Sequence, residues 1–452
     1  MSIKTYIREN RERFLAEWFE LLRIPSVSSQ QIHRPDMQAC AERLRGILLA
    51  SGAERAEVMP TAGHPVVYAE RILSADAPTV LVYGHYDVMP PEPLALWHGD
   101  PFEPVVCDGA VRARGADDDK GQLMIQIKGF QTALQEGCLR CNVKFIVEGE
   151  EEIGSASLKP FCEARRDLLK ADVILVSDTS MYSEEAPSLT TGLRGLSYWE
   201  IEVTGPNRDL HSGHFGGAVA NPLNVLCRLL ADVTDAGGRI AIPHFYDDVQ
   251  ELSPEEKAMT AQAPFDEDAY RQAIGVEALF GESGYSTLER NSCRPSFDIC
   301  GIWGGYTGEG AKTVLPSKAY AKVSCRLVPR QDAERITQLF IDYLTGKAPD
   351  CVKLKVAHCH SGQAYVCPID LPAYRAAERA FAVAFGKKPL AMRRGGSIPI
   401  VPAFEEILGL KTVLMGFGLE RHAIHSPNEN FGLERFFTGI EAVAEFYRNW
   451  HV

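Results

Sequence analysis

Residues 79–87 read TVLVYGHYD, a run of apolar residues that leads directly into a histidine and an aspartate. A nearly continuous apolar run of this length is typical of a strand buried on both faces of a sheet. Three more stretches have this form: NVKFIVEG (142–149), DVILVSD (172–178) and KTVLMGFG (411–418). Helical patterns such as KGQLMIQIKGFQTALQEG (120–137) alternate with them. We therefore predict an α/β domain with a largely parallel mixed sheet flanked by helices.

Each of these predicted strands is followed by side chains that can bind a metal ion. They are His85, Asp87, Glu151, Glu152, Asp178 and His425. Open α/β sheets bind ligands just beyond the carboxyl ends of their strands. A single acid at such a point is usually a helix N-cap, but four strands ending in this way indicate a site. Two imidazoles and three carboxylates can hold two divalent cations if one carboxylate bridges, and a spare glutamate can act as a base. The pattern predicts a two-metal hydrolase.

Two acidic runs leave the individual roles open. The run 117–119, between glycines that allow a tight turn, contains the best candidate for the bridging carboxylate, although a solvated turn would have the same composition. The run 150–152 fits one ligand plus one general base, or a solvated loop before a helix. Asp87 lies two residues after His85, a spacing that suits a carboxylate orienting the imidazole.

The hydrophobic pattern changes near Gly192. The stretches LSYWEIEVTG (196–205) and KAYAKVSCRLVP (318–329) alternate in the manner of half-exposed strands, and helical patterns lie between and after them. The α/β pattern returns before His425. We therefore expect a catalytic domain of residues 1–193 and 359–452, interrupted by an inserted α+β domain of residues 194–358, within which residues 241–294 look irregular.

Composition excludes several classes of function. The net charge of −13 argues against a nucleic-acid partner, since phosphate binding needs a basic face. We find no apolar run near the ~18 residues of a membrane helix and no secretory signal in MSIKTYIRENRERF, so no membrane association is expected. Twelve cysteines without framework spacing favour a reducing cytoplasm.

Nine short motifs occur in this order: GHYDVMP, GADDDKGQ, EGEEEIGS, SDTS, RDLHSGHFGG, TVLP, RLVPRQ, RRGGSIPI and HSPNE. Together they resemble the dinuclear zinc peptidases and amidohydrolases of metallopeptidase family 20, over nearly the whole chain. RDLHSGHFGG and GGSIPI resemble the dipeptidase branch of that family most closely.

The resemblance implies a role for each matching residue. The metal ligands would be His85 and Asp178 for one ion, Glu152 and His425 for the other, and Asp118 as the bridge, with a cis peptide between Asp118 and Asp119. The catalytic residues would be Glu151 as general base, Asp87 orienting His85, and His211 stabilising the oxyanion. The substrate-binding residues would be Arg326, which would face the substrate carboxylate, together with His360, Thr313, Gly396 and Ser397.

The resemblance also implies an activity. We expect a dipeptidase that hydrolyses the peptide bond of a small peptide with water activated by two divalent ions per subunit, zinc first and manganese or cobalt as alternatives. An N-acyl-amino-acid amidohydrolase of the aminoacylase or desuccinylase type is the second hypothesis. The inserted domain would serve as lid and dimerisation domain of a homodimer in which His211 acts in trans.

Overall fold

The chain folds into two compact units. The computed structural model describes residues 2–450, apart from the side chain of Glu255. One unit contains the residues up to Thr191, Cys367–Met392 and those from Pro399 onward, and the other contains Gly192–Val366 and Arg393–Ile398. The expected boundary between residues 358 and 359 falls inside the strand Lys353–Gly362, which keeps its pairing with the strand Gly195–Thr204 across that point.

The part of the chain before the insertion begins with helices and continues with strands and helices. In chain order they are α1 (Ile3–Glu9), α2 (Arg11–Leu22), α3 (Arg34–Ala50), β1 (Arg55–Met59), β2 (Val66–Arg71), β3 (Thr79–His85), β4 (Val105–Cys107), β5 (Ala110–Arg112), α4 (Lys120–Gln135), β6 (Asn142–Glu148), α5 (Leu158–Ala164), β7 (Val173–Val176) and β8 (Ser188–Leu193).

The inserted unit adds both strands and helices. They are β9 (Gly195–Thr204), β10 (Leu210–His211), α6 (Ser212–Phe215), α7 (Pro222–Ala231), α8 (Pro254–Thr260), α9 (Glu267–Ile274), α10 (Thr287–Ser292), β11 (Ser296–Gly304), β12 (Val314–Leu315), β13 (Lys318–Leu327), α11 (Ala333–Lys347), β14 (Lys353–Gly362) and β15 (Tyr365–Val366).

The last part of the chain contributes α12 (Pro372–Phe385), β16 (Leu390–Arg394), α13 (Ile400–Leu408), β17 (Thr412–Leu414), β18 (Asn430–Gly432) and α14 (Leu433–Asn449).

The large sheet, nine-stranded within residues 2–450, has the order β1–β2–β6–β3–β7–β17–β8–β15, and β16 also pairs with β8. The predicted mixed sheet is confirmed. Its parallel part is the central run β6–β3–β7–β17. The pairs β1–β2, β2–β6, β17–β8 and β15–β8 are antiparallel. The four apolar stretches read from the sequence form this central run and therefore end at the same edge.

Helix α4 lies in the core of the first unit, and almost all of its residues are buried. It packs against α14. Gly129 permits this approach, because a Cβ at that position would lie 2.4 Å from Cγ1 of Val443. The helix begins immediately after the acidic run 117–119, so close packing of α4 fixes the position of that run.

The second unit contains an antiparallel sheet in the order β11–β13–β9–β14. Helices α7 and α11 pack on it, and the ring of Trp199 stacks on that of Phe340 with centroids 4.2 Å apart. The α+β character is as predicted. The stretch 241–294 is less irregular than expected, because it holds α8, α9 and α10, which are too short to show a helical period.

Within the part of the chain that the structure describes, no helix combines the length and the apolar character required to cross a bilayer.

Candidate metal centre and substrate-binding residues

The parallel strands bring distant residues to one edge of the sheet. His85 is the last residue of β3, and its Cα partner on β6 is Glu148, three residues before Glu151. On the other side β3 pairs with β7, which is followed by Asp178. The sequence of parallel strands thus places side chains from residues 85, 151–152 and 178 at one edge.

Asp118 lies between two histidines. Its Oδ1 is 3.0 Å from Nε2 of His85, and its Oδ2 is 3.0 Å from Nε2 of His425. Asp178 completes one group, with Oδ2 3.9 Å from the same His85 nitrogen, and Glu152 completes the other, with Oε2 3.1 Å from Nε2 of His425. In each group the candidate ligand atoms lie within 4.8 Å of one another. The structure therefore brings together all five residues predicted as metal ligands, in two groups that share Asp118.

The acidic run 117–119 divides into three different environments. Oδ2 of Asp119 accepts the main-chain N–H of His85 at 3.1 Å, and Oδ2 of Asp117 lies 2.6 Å from Nδ1 of His422. The intervening Asp118 is the member of the run that faces the other candidate ligands, and the peptide that follows it is cis. The geometry thus selects one acid where the sequence left three.

Asp87 is fully buried behind His85. Nδ1 of His85 lies 3.1 Å from the carbonyl oxygen of Asp87 and 3.3 Å from its Oδ1. These contacts favour a proton on Nδ1 and leave Nε2 directed at Asp118 and Asp178. This is the position in which a carboxylate orients an imidazole ligand.

Glu151 belongs to neither donor group, although its neighbour Glu152 does. Burial, together with the negative charges of Asp118 and Glu152, raises the pKa of Glu151 to about 7. The cluster thus contains one carboxylate that is not committed to a histidine and that exchanges protons near neutral pH.

The charges of this cluster are strongly interdependent. Burial raises the pKa of Asp118, but hydrogen bonds from His425 and His85 outweigh it and hold that pKa below its usual range. Hydrogen bonds to Asp118 and Glu152 raise the pKa of His425 to about 10. For His85, burial opposes protonation, yet the same kind of contact with Asp118 and Asp87 raises its pKa well above the ordinary value. The carboxylates therefore attract positive charge to this point.

The donor set fits a pair of divalent ions. Imidazole nitrogen and carboxylate oxygen are ligands that zinc, manganese and cobalt accept. Within residues 2–450, Oε1 of Glu152 is buried without a hydrogen-bond partner, which a cation would provide. The metal-binding chemistry predicted from the sequence thus agrees with the geometry of the side chains.

Sequence reasoning missed two buried residues that support the acidic run. Glu429 is fully buried and accepts main-chain N–H groups of that run, and His422 is the partner of Asp117. Burial lowers the pKa of His422 to about 3, so this imidazole is neutral. Glu429 stands in the HSPNE motif, but nothing in a linear pattern indicates its contact with residues more than three hundred positions away.

Two of the residues predicted to bind substrate or stabilise the oxyanion lie close together in the second unit. His211, in β10, pairs with Val314 of β12, and the N–H of Ser212 donates to the carbonyl of Thr313 at 3.1 Å. Nδ1 of His211 accepts the main-chain N–H of Gly213 at 3.0 Å. Because Nδ1 accepts this hydrogen bond, the ring proton lies on Nε2, which makes Nε2 of this exposed residue a donor.

A second pair of predicted residues meets at the end of β13. Nη1 of Arg326 donates to Oγ of Ser397 at 3.0 Å, and this hydroxyl in turn donates to the carbonyl of Arg194. The carbonyl of Gly396 accepts the main-chain N–H of Arg194 at 3.2 Å. His360 is elsewhere, on β14 with β9 between it and β13, where its ring stacks on Tyr198.

Comparison with known proteins identifies the family. The model of the peptidase family M20/M25/M40 matches residues 81–449. The Cys-Gly metallodipeptidase dug1 of Schizosaccharomyces pombe is 31% identical over 96% of this chain and 95% of its own length. Two solved structures are also similar along the chain. Human carnosine dipeptidase 1 has a TM-score of 0.80 at 31% identity, covering 99% of this chain and 98% of its own. The metallo-carboxypeptidase Sso-CP2 of Sulfolobus solfataricus has a TM-score of 0.84 at 30% identity, covering 96% and 98%.

These matches define a hydrolytic metallopeptidase, which confirms the class of enzyme expected from the motifs. The chain belongs to the peptidase family M20/M25/M40, as the resemblance of its motifs indicated.

Proposed function

We propose that this protein is a dipeptidase that hydrolyses the peptide bond of small peptides with two divalent metal ions per subunit. The observation that carries the proposal is the pair of donor groups that share Asp118, each containing one histidine and one further carboxylate. The dipeptidases among the similar proteins support the substrate class.

In this proposal His85 and Asp178 would hold one ion, Glu152 and His425 would hold the other, and Asp118 would be shared by both. When bound, the two ions would act as Lewis acids, polarising the scissile carbonyl and lowering the pKa of the attacking water. Asp87 keeps the His85 ring in one orientation and tautomer through the contacts at Nδ1.

Glu151 is the proposed general base. Its carboxylate is next to Glu152 in the chain and outside both donor groups, so it is free to accept a proton from water and return it to the leaving amine. The main-chain N–H of Glu151 donates to Oδ1 of Asp87 at 3.2 Å, which restrains the segment that carries the base.

His211 is the proposed stabiliser of the oxyanion. The hydrogen bond from Gly213 occupies Nδ1 and leaves an Nε2–H donor on an exposed residue, as this role requires. We propose that His211 acts across a homodimer and that the inserted unit serves as its lid and dimerisation domain. The basis of this step is the resemblance of RDLHSGHFGG to the dipeptidase branch.

Arg326 is proposed to bind the carboxylate of the substrate. A guanidinium matches two carboxylate oxygens, and the contact with Ser397 restrains it at the end of β13. The other proposed substrate-binding residues are Thr313, Gly396, Ser397 and His360. The stacking of His360 on Tyr198 offers a flat surface, which supports a contact with a substrate side chain.

Zinc is the proposed metal, because both groups combine histidine with carboxylate, and manganese and cobalt accept the same donors. The proposed location is the cytoplasm. Cys227, Cys300, Cys351 and Cys359 are exposed free thiols, which suit a reducing compartment.

A substrate panel tests the proposal directly. Protein stripped of metal and reloaded with zinc or manganese should hydrolyse Ala-Ala and Cys-Gly faster than tripeptides and much faster than N-acetyl- or N-succinyl-alanine. Preferential cleavage of the acylated amino acids would assign the amidohydrolase function instead. A preference for removing the last residue of longer peptides would indicate a carboxypeptidase. The metal-free protein should be inactive towards all of them.

A further inference from the structure

The carboxylate of Glu429 is embedded in the main chain of the turn that carries Asp118. Oε2 accepts Nη1 of Arg114 at 2.7 Å and the N–H of Gly115 at 2.9 Å. Oε1 accepts the N–H groups of Asp117 at 2.9 Å and Asp118 at 3.1 Å. Each oxygen thus receives two donors, and the side chain has no solvent exposure.

This arrangement resembles an anion bound in a concave set of main-chain N–H groups. Here the anion is a side chain from a segment that also carries His425, four residues earlier. One loop therefore supplies both a candidate metal ligand and the group that holds the turn opposite that ligand.

Electrostatics alone disfavours the position of Glu429. The turn contains Asp117 and Asp118 and is followed directly by Asp119, and the guanidinium of Arg114 compensates one negative charge. Burying a carboxylate beside like charges costs free energy unless its hydrogen bonds repay it. The side chain of Glu429 makes those hydrogen bonds to Arg114 and to the main chain of the turn. The free energy that offsets its burial therefore depends on the conformation of the turn.

The conformation of this turn determines the orientation of the Asp118 side chain. Its two oxygens each lie 3.0 Å from Nε2 of a different histidine, a geometry that tolerates little rotation of the main chain. The N–H of Asp118 is itself one of the four donors to Glu429. The anchoring contact is therefore made by the same residue that connects the two donor groups.

We propose that Glu429 is a positioning residue, which holds the Gly115–Asp118 turn so that both oxygens of Asp118 serve a pair of metal ions. This inference rests on the metal centre of the proposed function. Glu429 touches neither substrate nor metal in this role, and it acts through the main chain of its neighbours.

The test measures metal binding and not turnover. In Glu429→Gln, the amide nitrogen would face N–H donors, so two of the four hydrogen bonds are lost while the volume is kept. Titration of the metal-free protein with manganese or zinc should show affinity for the pair weakened by about 10- to 100-fold. Electron paramagnetic resonance of the manganese form should lose the signal of a coupled ion pair. Wild-type affinity and coupling in a folded Glu429→Gln protein would overturn the inference.

Glu282→Gln is the matched control. Glu282 is also a buried glutamate, and it accepts Nε and Nη2 of Arg294 at 2.7 and 2.8 Å in the second unit. This variant should have a lower melting temperature but an unchanged affinity for both metal ions. A similar loss of affinity in Glu282→Gln would show that general destabilisation explains the effect, and the inference would fail.

A second variant separates charge from position. In Glu429→Gln the guanidinium of Arg114 loses its buried partner, and the double variant Arg114→Gln with Glu429→Gln removes that unpaired charge. The double variant should have a higher melting temperature than Glu429→Gln, but its metal affinity should remain weak and the coupled signal should remain absent. If metal affinity and coupling also recovered in the double variant, Glu429 would have a purely electrostatic role and the inference would be overturned. Wild-type protein that binds two ions but cleaves no dipeptide would refute the proposed function and leave this inference standing.

Discussion

The carboxylate of Asp87 accepts the main-chain N–H of Glu151 through Oδ1 at 3.2 Å. Its other oxygen accepts the N–H of Glu152 at 3.1 Å, and Oδ1 also lies 3.3 Å from Nδ1 of His85. One buried carboxylate thus joins the end of β3 to the segment after β6. Asp87 thereby fixes the position of the candidate ligand His85 relative to the segment that carries Glu151 and Glu152.

The first prediction separates the two adjacent glutamates. Glu151→Gln should lower kcat by about 10²- to 10⁴-fold with metal content unchanged, because only proton transfer is removed. Glu152→Gln should instead release metal, because its Oε2 belongs to the donor group of His425. Metal analysis and kinetics of both variants check this. Equal metal loss in the two variants would contradict the assigned roles.

The second prediction concerns the shared site of a homodimer. Glu151→Ala and His211→Ala should each be inactive. Each mixed dimer contains one site with both groups intact, so purified heterodimers should have about half of the wild-type activity. Differently tagged subunits, purified as verified heterodimers, provide the measurement. Heterodimers without activity would show that His211 does not act in trans.

The third prediction concerns the substrate carboxylate. Arg326→Met should lower kcat/KM for a dipeptide by roughly 10- to 150-fold, mainly through KM, because a charged hydrogen bond is lost. The decrease should be much smaller for the same dipeptide with an amidated carboxyl end. Arg335→Met is the control, since Arg335 is an exposed arginine of the same unit that pairs with Asp247 and Asp248. Equal decreases for acid and amide would rule out the carboxylate contact.

The fourth prediction concerns pH and stability in the first unit. Burial lowers the pKa of Lys128 to about 8, although Glu17 partly offsets it. The unfolded chain holds this proton up to about pH 10.4, so between the two values the unfolded state binds more protons. Stability must then rise with pH in that window, by at most about 3 kcal/mol.

The variant Lys128→Met isolates this contribution. The melting temperature of the wild type minus that of the variant should be constant below pH 7 and should increase from pH 8 to pH 10. A difference that stays flat over this range would show that Lys128 keeps its proton in the folded protein.

The central sheet and the residues at its edge could be predicted because they are local features. His85 and Asp178 follow apolar strands directly, so the side-chain pattern and the position come from the same few residues. The choice among residues 117–119 could not be made in this way. Three identical side chains differ only in what the folded chain places beside them, which is His85 and His425 for Asp118 and His422 for Asp117.

Other differences have equally specific causes. The expected end of the inserted domain, residue 358, lies within β14. The alternation of exposed and buried residues does not indicate where the pairing of a strand ends. The role of Glu429 could not be predicted, because no sequence pattern indicates that a carboxylate will be buried against distant main-chain N–H groups.

Asp118 and the carboxylate that accepts its main-chain N–H are 311 positions apart in the chain. A ribosome therefore produces the acidic run long before it adds His425 and Glu429. Until that late segment emerges, the nascent protein contains His85, Asp118 and Asp178 but lacks His425 and Glu429. A chain that ended before this segment would contain the residues of one donor group only, because the second group requires His425.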